Sequence, residues 1–313
     1  MSKLPGIIVI TGPTATGKSD LAVRLASEID GEIISADSMQ LYKGMDIGTA
    51  KPTHKEMHGI PHHLIDIVSP FENYSVARYV NDASECIHDI LLRDKKPIVV
   101  GGTGLYIDSL IVGREFSVRG DENQRKELED EFDSAGGDYM LKKLHEVDSK
   151  SAGKLHPNDK KRIIRALETF YTTGKTISLH DIESKAKKPR YQAIKFALNF
   201  EQREDLYSRI DARVDNMINN GLEKEVRVLL EMGLSNKNTS MQAIGYKEIL
   251  NAISSGEEIF TAVEKIKMES RRYAKRQLTW LRRDKSIKWI VWNETPDFDC
   301  GVSKMLKILR SVE

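Results

Sequence analysis

The sequence predicts an α/β protein whose parallel β-sheet core carries a helical insertion domain. Short apolar runs alternate with segments of helical periodicity, which is typical of parallel strands covered by helices on both faces. These runs occupy residues 7–10, 32–35 and 97–100. Residues 121–185 instead combine helical periodicity with many charges and contain no strand-like run. We therefore assign the core to residues 1–116 and 191–313 and the insertion to residues 117–190.

A glycine-rich turn joins the first predicted strand to a predicted helix over residues 18–29. It fits the pattern G-x-x-x-x-G-K-[ST] through Gly12, Pro13, Thr14, Ala15, Thr16, Gly17, Lys18 and Ser19. Such a turn points backbone N–H groups inward, and the helix N-terminus adds partial positive charge. We expect Lys18 to reach a terminal phosphate and the Ser19 hydroxyl to bind Mg²⁺. The turn predicts a P-loop NTPase-like core that binds a phosphate or diphosphate chain.

Two further polar turns follow predicted strands. Asp37 follows the strand at residues 32–35, and the turn Gly101, Gly102, Thr103 and Gly104 follows the strand at residues 97–100. Because ligands of open parallel sheets bind at the carboxyl ends of the strands, we expect both turns near the P-loop. Asp37 is open to three roles: a Mg²⁺ ligand through water, a general base, or the N-cap of the next turn. Thr103 can contact a phosphate or a substrate base.

The remaining core elements are predicted from the same periodicities. Further strands are expected at residues 64–68, 194–198 and 287–292. Further helices are expected at residues 74–92, 203–219 and 257–282, around residues 242–247, and at the C-terminus. Four histidines have suggestive spacing, but Gly59 and Pro61 break any helix that would align them, so we expect no zinc site at His54, His58, His62 and His63.

The composition is that of a globular protein, with 313 residues of which 40% are hydrophobic and 30% charged. No apolar run approaches the roughly 20 residues that cross a bilayer. The N-terminus leads directly into the first strand, so we expect no signal peptide. Cys86 and Cys300 lack the number and spacing of a disulfide framework or a metal site. We therefore expect a cytoplasmic protein without a membrane partner.

The net charge of +1 does not by itself indicate a polyanionic partner, but the basic residues are clustered. Residues 265–288 are rich in Lys and Arg, and only Glu269 and Asp284 oppose them. In the insertion, Asn158 or Asp159 can cap a helix that displays Lys161, Arg162 and Arg165. Basic faces on a balanced chain are typical of a nucleic-acid binder, although charge runs are more often simply solvated.

Three classes of function are compatible with these features. A P-loop with a nearby aspartate suits a kinase of a small molecule. The basic helix and the insertion better suit a transferase that acts on nucleic acid and uses a phosphorylated donor. A nucleotide-gated binding module is the non-enzymatic alternative, and a dispensable Asp37 would favour it.

The chain resembles the tRNA dimethylallyltransferase (tRNA isopentenyltransferase) family, of the bacterial type, from about residue 7 to residue 292. The long block at residues 37–52 is far more specific than a P-loop alone. The matching segments are GPTATGKS at 12–19, SADSMQLY at 35–42, KGMDIGTAKP at 43–52, VGGTGLY at 100–106, HPND at 156–159, IGY at 244–246 and KRQLTWLR at 275–282.

The resemblance implies transfer of a dimethylallyl group from dimethylallyl diphosphate to the exocyclic amine of the adenosine 3′ of the anticodon. It further implies Mg²⁺ as the cofactor, release of diphosphate, and an insertion that grips the anticodon stem of tRNA. The expected partners are tRNA and dimethylallyl diphosphate, and we expect a monomer. Some relatives prenylate free adenine nucleotides, so an adenylate prenyltransferase and a small-molecule kinase remain the alternatives.

The chemistry of this transfer suggests roles for individual residues. The P-loop, Lys18 and Mg²⁺ at Ser19 would stabilise the departing diphosphate, and either Arg209 or Arg213 would clamp it. Asp37 would remove the amine proton, with Thr103 beside it. The candidate tRNA contacts are Asp37, Ser38, Met39, Gln40, Thr103, Lys161, Arg162, Arg165, Gln242, Gly245, Lys247, Lys275, Arg276 and Arg282.

Overall fold

The computed structural model describes residues 4–113, 122–186 and 188–311. Its contacts divide the chain into two compact units. The first unit comprises Met1–Ile111 and Arg190–Glu313, and the second comprises Val112–Pro189. The expected start of the insertion at Ser117 lies outside the described residues.

The first unit is built on a parallel sheet of six strands in the order β3-β2-β4-β1-β5-β6. The strands are β1 (Gly6–Thr11), β2 (Gly31–Ser35), β3 (His62–His63), β4 (Lys96–Val100), β5 (Gln192–Phe200) and β6 (Lys288–Trp292). Because β1 lies beside β4, and β4 beside β2, the turns that follow these three strands meet at one edge of the sheet.

Helices connect the strands and carry the insertion. Those of the first unit are α1 (Lys18–Ile29), α2 (Val76–Leu92), α3 (Gly104–Val112), which runs on to the first residue of the second unit, α9 (Arg203–Asn219), α10 (Leu222–Glu231), α11 (Tyr246–Ser255), α12 (Ile259–Leu281) and α13 (Phe298–Arg310), with a 3₁₀ turn at Ser240–Gln242. Those of the second unit are α4 (Glu122–Ala135), α5 (Gly137–Val147), α6 (Ser149–Ala152), α7 (Lys160–Thr173) and α8 (Ile177–Ala186).

One hydrophobic core of the first unit lies between the sheet and helices α1 and α13. Ile10 of β1 and Leu21 and Leu25 of α1 are fully buried, and Trp292 and Met305 close the cluster from the C-terminal part of the chain. The apolar positions of α1 recur at helical spacing and therefore form one face, which packs mainly on β2 and β4. This packing fixes the start of α1, and with it the P-loop, against the sheet.

The second unit has its own small core, built by α4, α5 and α7 around Met140, Leu144, Ile163 and Leu167. Helix α7 begins after Asp159, as the sequence predicts. The Asp159 side chain does not cap it, however, because its carboxylate accepts a hydrogen bond from the backbone N–H of His156 instead.

The prediction of a strand at residues 64–68 is wrong. The structure has a two-residue strand at His62–His63 instead, and Val68 forms only an isolated bridge with Tyr42. Leu64 and Asp66 have positive φ values of 61° and 56°, which extended backbone does not allow. The apolar residues of this segment pack from a folded loop, and periodicity alone does not distinguish such a loop from a short buried strand.

Helix α10, at Leu222–Glu231, was not predicted as a separate element from the sequence. Helix α11 begins at Tyr246, so the segment around residues 242–247 starts a helix rather than crossing one.

No helix among the described residues is long and apolar enough to span a membrane.

We expect Gly101→Ala to lower the free energy of unfolding by about 3 kcal/mol, because overpacking against atoms that cannot move is costly. An added Cβ would lie 2.3 Å from the backbone oxygen of Ala36, where the ends of β2 and β4 meet. Gly6→Ala is the matched control, because nothing lies within 4 Å of its added Cβ. Urea denaturation of both variants measures the difference, and equal stabilities would contradict the packing described here.

Candidate active site

The P-loop has the strained backbone that its glycines predict. Gly12 and Gly17 have φ values of 143° and 83°, in the region that favours glycine. The Thr16 hydroxyl donates to the carbonyl oxygen of Pro13 at 2.8 Å and closes the loop. The indole N–H of Trp292 donates to the carbonyl oxygen of Thr16 at 3.0 Å in a buried hydrogen bond, so the C-terminal part of the chain supports the loop from behind.

Lys18 is held over the P-loop, where its Nζ donates to the carbonyl oxygen of Pro13 at 2.7 Å. Burial lowers the pKa of Lys18 to about 7, and the positive charge of Arg213 acts in the same direction. The carboxylate of Asp37 partly opposes this shift. The charges of Lys18, Arg213 and Asp37 thus influence one another, and a bound polyanion would favour the charged form of the lysine.

Arg209 and Arg213, on one face of α9, both line the same cleft as the P-loop. Arg209 donates through Nε to the carbonyl oxygen of Ala15 at 3.1 Å, which fixes it beside the loop. Burial lowers the pKa of Arg213, and Asp37 counteracts that shift. The two predicted clamp candidates therefore differ: Arg209 is bonded to the loop backbone, and Arg213 interacts with the aspartate.

The cleft has a volume of about 880 Å³. P-loop residues, including Lys18 and Ser19, form one wall, and Asp37 and Gly101 lie in the same cleft at the carboxyl ends of β2 and β4. Further walls come from the segment containing Ile47 and from α9 and α12. Apolar side chains thus lie beside a cationic end, which suits a ligand with a charged head and a small apolar tail.

Asp37 has one of its carboxylate oxygens engaged and lies in the cleft. Its Oδ1 accepts a hydrogen bond from the backbone N–H of Met39 at 2.9 Å, which is the local turn bond that was one of its three predicted roles. The hydroxyl of Thr103 accepts from the backbone N–H of Ser38 at 3.2 Å. This bond ties the Asp37 turn to the glycine turn after β4.

Gln40, a predicted base contact, is bonded to the surrounding protein. Its side-chain amide nitrogen donates to the carbonyl oxygens of Thr49 and Ala50 at 3.4 and 3.3 Å. Its carbonyl oxygen accepts from the Ser35 hydroxyl at 3.2 Å. In the structure Gln40 therefore holds the loop that forms one wall of the cleft.

Gln277 is a site residue that sequence analysis did not single out. Its side-chain oxygen accepts from the backbone N–H of Thr14 at 3.0 Å, and its nitrogen donates to the carbonyl oxygen of Gly102 at 3.0 Å. The residue is only 7% exposed. It joins the P-loop to the second glycine turn, and its position within the matching segment at 275–282 was the only sequence signal for it.

Glu225 of α10 was missed as well. Its carboxylate accepts from the backbone N–H groups of Asp46, Ile47 and Gly48 at 2.9, 2.9 and 3.3 Å, and from the Tyr246 hydroxyl at 2.5 Å. A carboxylate that satisfies three consecutive N–H groups fixes the loop in one conformation. No local pattern in the sequence marks this residue.

The candidate RNA contacts differ in their exposure. Lys275, Arg276 and Arg282 are exposed on and just after the last turns of α12, and Gln242 and Lys247 are exposed around the start of α11. Gln242 also donates to the carbonyl oxygen of Asn236, and Gly245 is the buried N-cap of α11, with a φ of 98°.

In the second unit Lys161 and Arg162 are exposed, whereas half-buried Arg165 pairs with Glu168 at 2.8 Å.

The cleft offers oxygen donors that fit Mg²⁺. The Ser19 hydroxyl and the Asp37 carboxylate are hard ligands, and Mg²⁺ commonly takes one or two such groups together with water and substrate phosphates. The described residues contain no group of three or more His, Cys, Asp or Glu side chains arranged to hold a metal. His62 and His63 hydrogen-bond the Ile60 carbonyl oxygen and Glu32, respectively.

The fold and the cleft together define a P-loop α/β protein in which the P-loop and a carboxylate line one cleft. The family model described as IPP transferase matches residues 40–284, and the model described as Isopentenyl transferase matches residues 5–69. The chain therefore belongs to the IPP transferase family, the tRNA dimethylallyltransferases. The sequence-based family assignment and the predicted fold class are confirmed.

Curated bacterial relatives carry the name tRNA dimethylallyltransferase. One from Thermoanaerobacter sp. (strain X514) is 49% identical over 305 residues, which cover 97% of each chain. Another, from Caldanaerobacter subterraneus, is 51% identical over 285 residues, which cover 90% of each chain.

Solved structures agree with this assignment. The full-length tRNA isopentenylpyrophosphate transferase from Bacillus halodurans is 40% identical with a TM-score of 0.73, and the match covers 98% of this chain and 96% of that chain. A eukaryotic dimethylallyltransferase acting on tRNA is 32% identical with a TM-score of 0.78, and the match covers 96% of this chain and 77% of that chain.

We expect the affinity for inorganic diphosphate to be highest below pH 7 and to fall as the pH rises. In the free protein Lys18 loses its proton near pH 7, whereas a bound anion favours the protonated form. The decrease should reach about tenfold per pH unit above 7. Isothermal titration calorimetry between pH 6 and pH 9 measures it.

The control for this prediction is Lys18→Met, which keeps the length of the side chain and removes the titrating group. The ligand's own ionisation is common to both proteins, so the difference between their pH profiles reports Lys18. Parallel profiles would contradict the assigned role of the lysine.

Proposed function

We propose that this protein transfers a dimethylallyl group from dimethylallyl diphosphate to the exocyclic amine of the adenosine 3′ of the anticodon in tRNA, releasing diphosphate. One observation carries the proposal: the P-loop and Asp37 line a single cleft, with cationic side chains at one end. A binding site for the leaving group and an acceptor for the proton are therefore available in the same cleft. Family membership supports the same reaction.

The P-loop end binds the diphosphate of the donor. The P-loop backbone, the Lys18 ammonium and the α9 guanidinium groups line the same cleft, where they would stabilise the negative charge that develops as the allylic C–O bond breaks. The Ser19 hydroxyl would hold Mg²⁺ together with water and the oxygens of the diphosphate. When bound there, Mg²⁺ supplies charge that stabilises the diphosphate leaving group.

Asp37 acts at the acceptor end. The amine nitrogen of adenine forms a bond to the allylic carbon, the carbon–oxygen bond to the diphosphate breaks, and the amine loses one proton. Because Oδ1 of Asp37 is engaged by Met39, the second carboxylate oxygen is the proton acceptor. General-base assistance of this kind contributes about 10²–10⁴-fold to the rate.

The exposed basic side chains at the end of α12 bind the RNA backbone. Lys275 and Arg276 lie on α12, whose inner residues Tyr273 and Gln277 line the cleft, and Arg282 directly follows this helix. Phosphate contacts there position the RNA, and the target base leaves its stack to reach Asp37. We propose that Lys161, Arg162 and Arg165 of the second unit supply further contacts to the anticodon stem.

The reaction is tested by incubating the protein with labelled dimethylallyl diphosphate, Mg²⁺ and unmodified tRNA, with free adenine nucleotides in a parallel reaction. Label in the tRNA supports the proposal, and label only in the nucleotide supports an adenylate prenyltransferase. Transfer of a nucleotide γ-phosphate to a small molecule, without prenyl transfer, would instead establish a kinase.

Asp37→Asn should lower the transfer rate by about 10²–10⁴-fold, because it removes the proton acceptor. Asparagine keeps the oxygen that accepts from Met39, so the turn is preserved and tRNA binding should stay unchanged. Single-turnover kinetics and filter binding measure the two effects. A variant with the unsubstituted protein's rate would exclude Asp37 as the base.

Lys275→Ala combined with Arg282→Ala should weaken tRNA binding and reduce the slope of log K against log salt by about 1.5. Arg276 is left in place because its guanidinium lies 5.7 Å from the ring centroid of Tyr273. The charge-matched control is Lys304→Ala with Lys307→Ala, on exposed positions of α13. Equal slopes for the two double variants would place the RNA on another surface.

A further inference from the structure

The cleft changes from cationic to apolar along one face of α9. Arg209, Arg213 and Met217 line the cleft, and their spacing along the sequence places them on the same side of the helix. Arg209 is bonded to the P-loop at Ala15, and Met217 lies about 12 Å further along the helix axis. A donor whose diphosphate occupies the P-loop can therefore extend its carbon tail along α9 towards Met217.

The loop at residues 46–48 is docked at the same end of α9. Helix α10 begins at Leu222, shortly after α9 ends at Asn219. Gly48 packs so closely on Leu222 that an added Cβ would lie 2.9 Å from a side-chain carbon of that residue. Ile47, the neighbour of Gly48, is half-buried and lines the cleft. Ile47 and Met217 therefore supply apolar side chains to the end of the cleft that lies away from Arg209.

Glu225 fixes Ile47 in this position through the backbone. Its carboxylate accepts hydrogen bonds from three consecutive N–H groups, those of Asp46, Ile47 and Gly48. The fully buried Tyr246 donates its hydroxyl to the same carboxylate and packs its ring on Gly48. A loop held by all three of its N–H groups cannot move its side chain away from the cleft without breaking charge-assisted hydrogen bonds.

We propose that Ile47 is a specificity-determining residue that receives the branched tail of the donor together with Met217 and limits the length of that tail. Glu225 is the positioning residue that keeps Ile47 in place. The inference rests on the donor assigned in the proposed function. A fixed apolar wall favours a short tail that fills the space, and it penalises a longer tail that must displace the wall.

The test compares the affinities of dimethylallyl diphosphate, geranyl diphosphate and inorganic diphosphate by isothermal titration calorimetry, with Mg²⁺ and without tRNA. The geranyl compound has a tail that is one isoprenoid unit longer, and the unsubstituted protein should bind it about tenfold more weakly than dimethylallyl diphosphate. Ile47→Ala should bring the two affinities within about threefold of each other, because it opens space for the longer tail. Ile47→Val should have an intermediate effect.

Glu225→Gln should reduce the same preference about threefold, because the amide nitrogen cannot accept hydrogen bonds from the loop. In all of these variants the affinity for inorganic diphosphate should stay within about twofold, since the P-loop is unchanged. A general loss of structure would weaken the binding of all three ligands. The matched control is Glu223→Gln on the same helix, where the carboxylate pairs with Arg227 at 2.7 Å, and its preference should equal that of the unsubstituted protein.

Two results would overturn the inference and leave the proposed function intact. One is a preference for the shorter tail that survives both Ile47→Ala and Glu225→Gln, and the other is equal affinity of the unsubstituted protein for the two prenyl diphosphates. If neither tail adds affinity over inorganic diphosphate, the donor assignment fails and the inference fails with it. Because binding is measured without tRNA, failure of the transfer to RNA is detected separately.

Discussion

The close approach of the P-loop and the second glycine turn, bridged by Gln277, is the constraint on which the rest of the site depends. The two turns follow adjacent parallel strands, so the sheet places them side by side. Gln277 then satisfies the backbone of both turns with one side chain. An added Cβ at Gly102 would lie 2.2 Å from the Gln277 amide nitrogen, so the bridge requires a glycine there. Because these contacts involve the backbone of both turns, they leave little room for variation in the distance between the turns.

The charges of the site are arranged for a ligand more anionic than any protein group in it. Lys18 and Arg213 are half-buried in the same cleft, and removal from water lowers the pKa of each. A single carboxylate, Asp37, only partly compensates them. A diphosphate would relieve the repulsion between the cations and restore their charge, and its departure after transfer would recreate the unfavourable state. The proposed leaving group and the electrostatics of the cleft are therefore complementary.

Support for the cleft comes from parts of the chain that never touch it directly. Trp292 and Phe298 brace the P-loop at Thr16 and Gly17 from the C-terminal segment. In the wall that contains Ile47, Glu225 holds the backbone of the loop at residues 46–48. Functional groups that must hold charges in a fixed arrangement need such preorganised surroundings, because reorganising them during the reaction would cost free energy.

Local chemistry was readable from the order of residues. The P-loop, the carboxylate after the second strand and the glycine turn after Val100 each consist of neighbouring residues whose backbone requirements leave a recognisable pattern. The parallel core followed from apolar runs alternating with helices. The prediction of a strand at residues 64–68 was wrong, because the apolar residues there suit a strand. The positive φ values of Leu64 and Asp66 depend instead on packing around the loop. Folding in three dimensions decided the roles of Gln277 and Glu225, since partners such as Thr14 and Gln277 are 263 residues apart. No short-range pattern can encode a hydrogen bond whose two groups meet only after the sheet has formed.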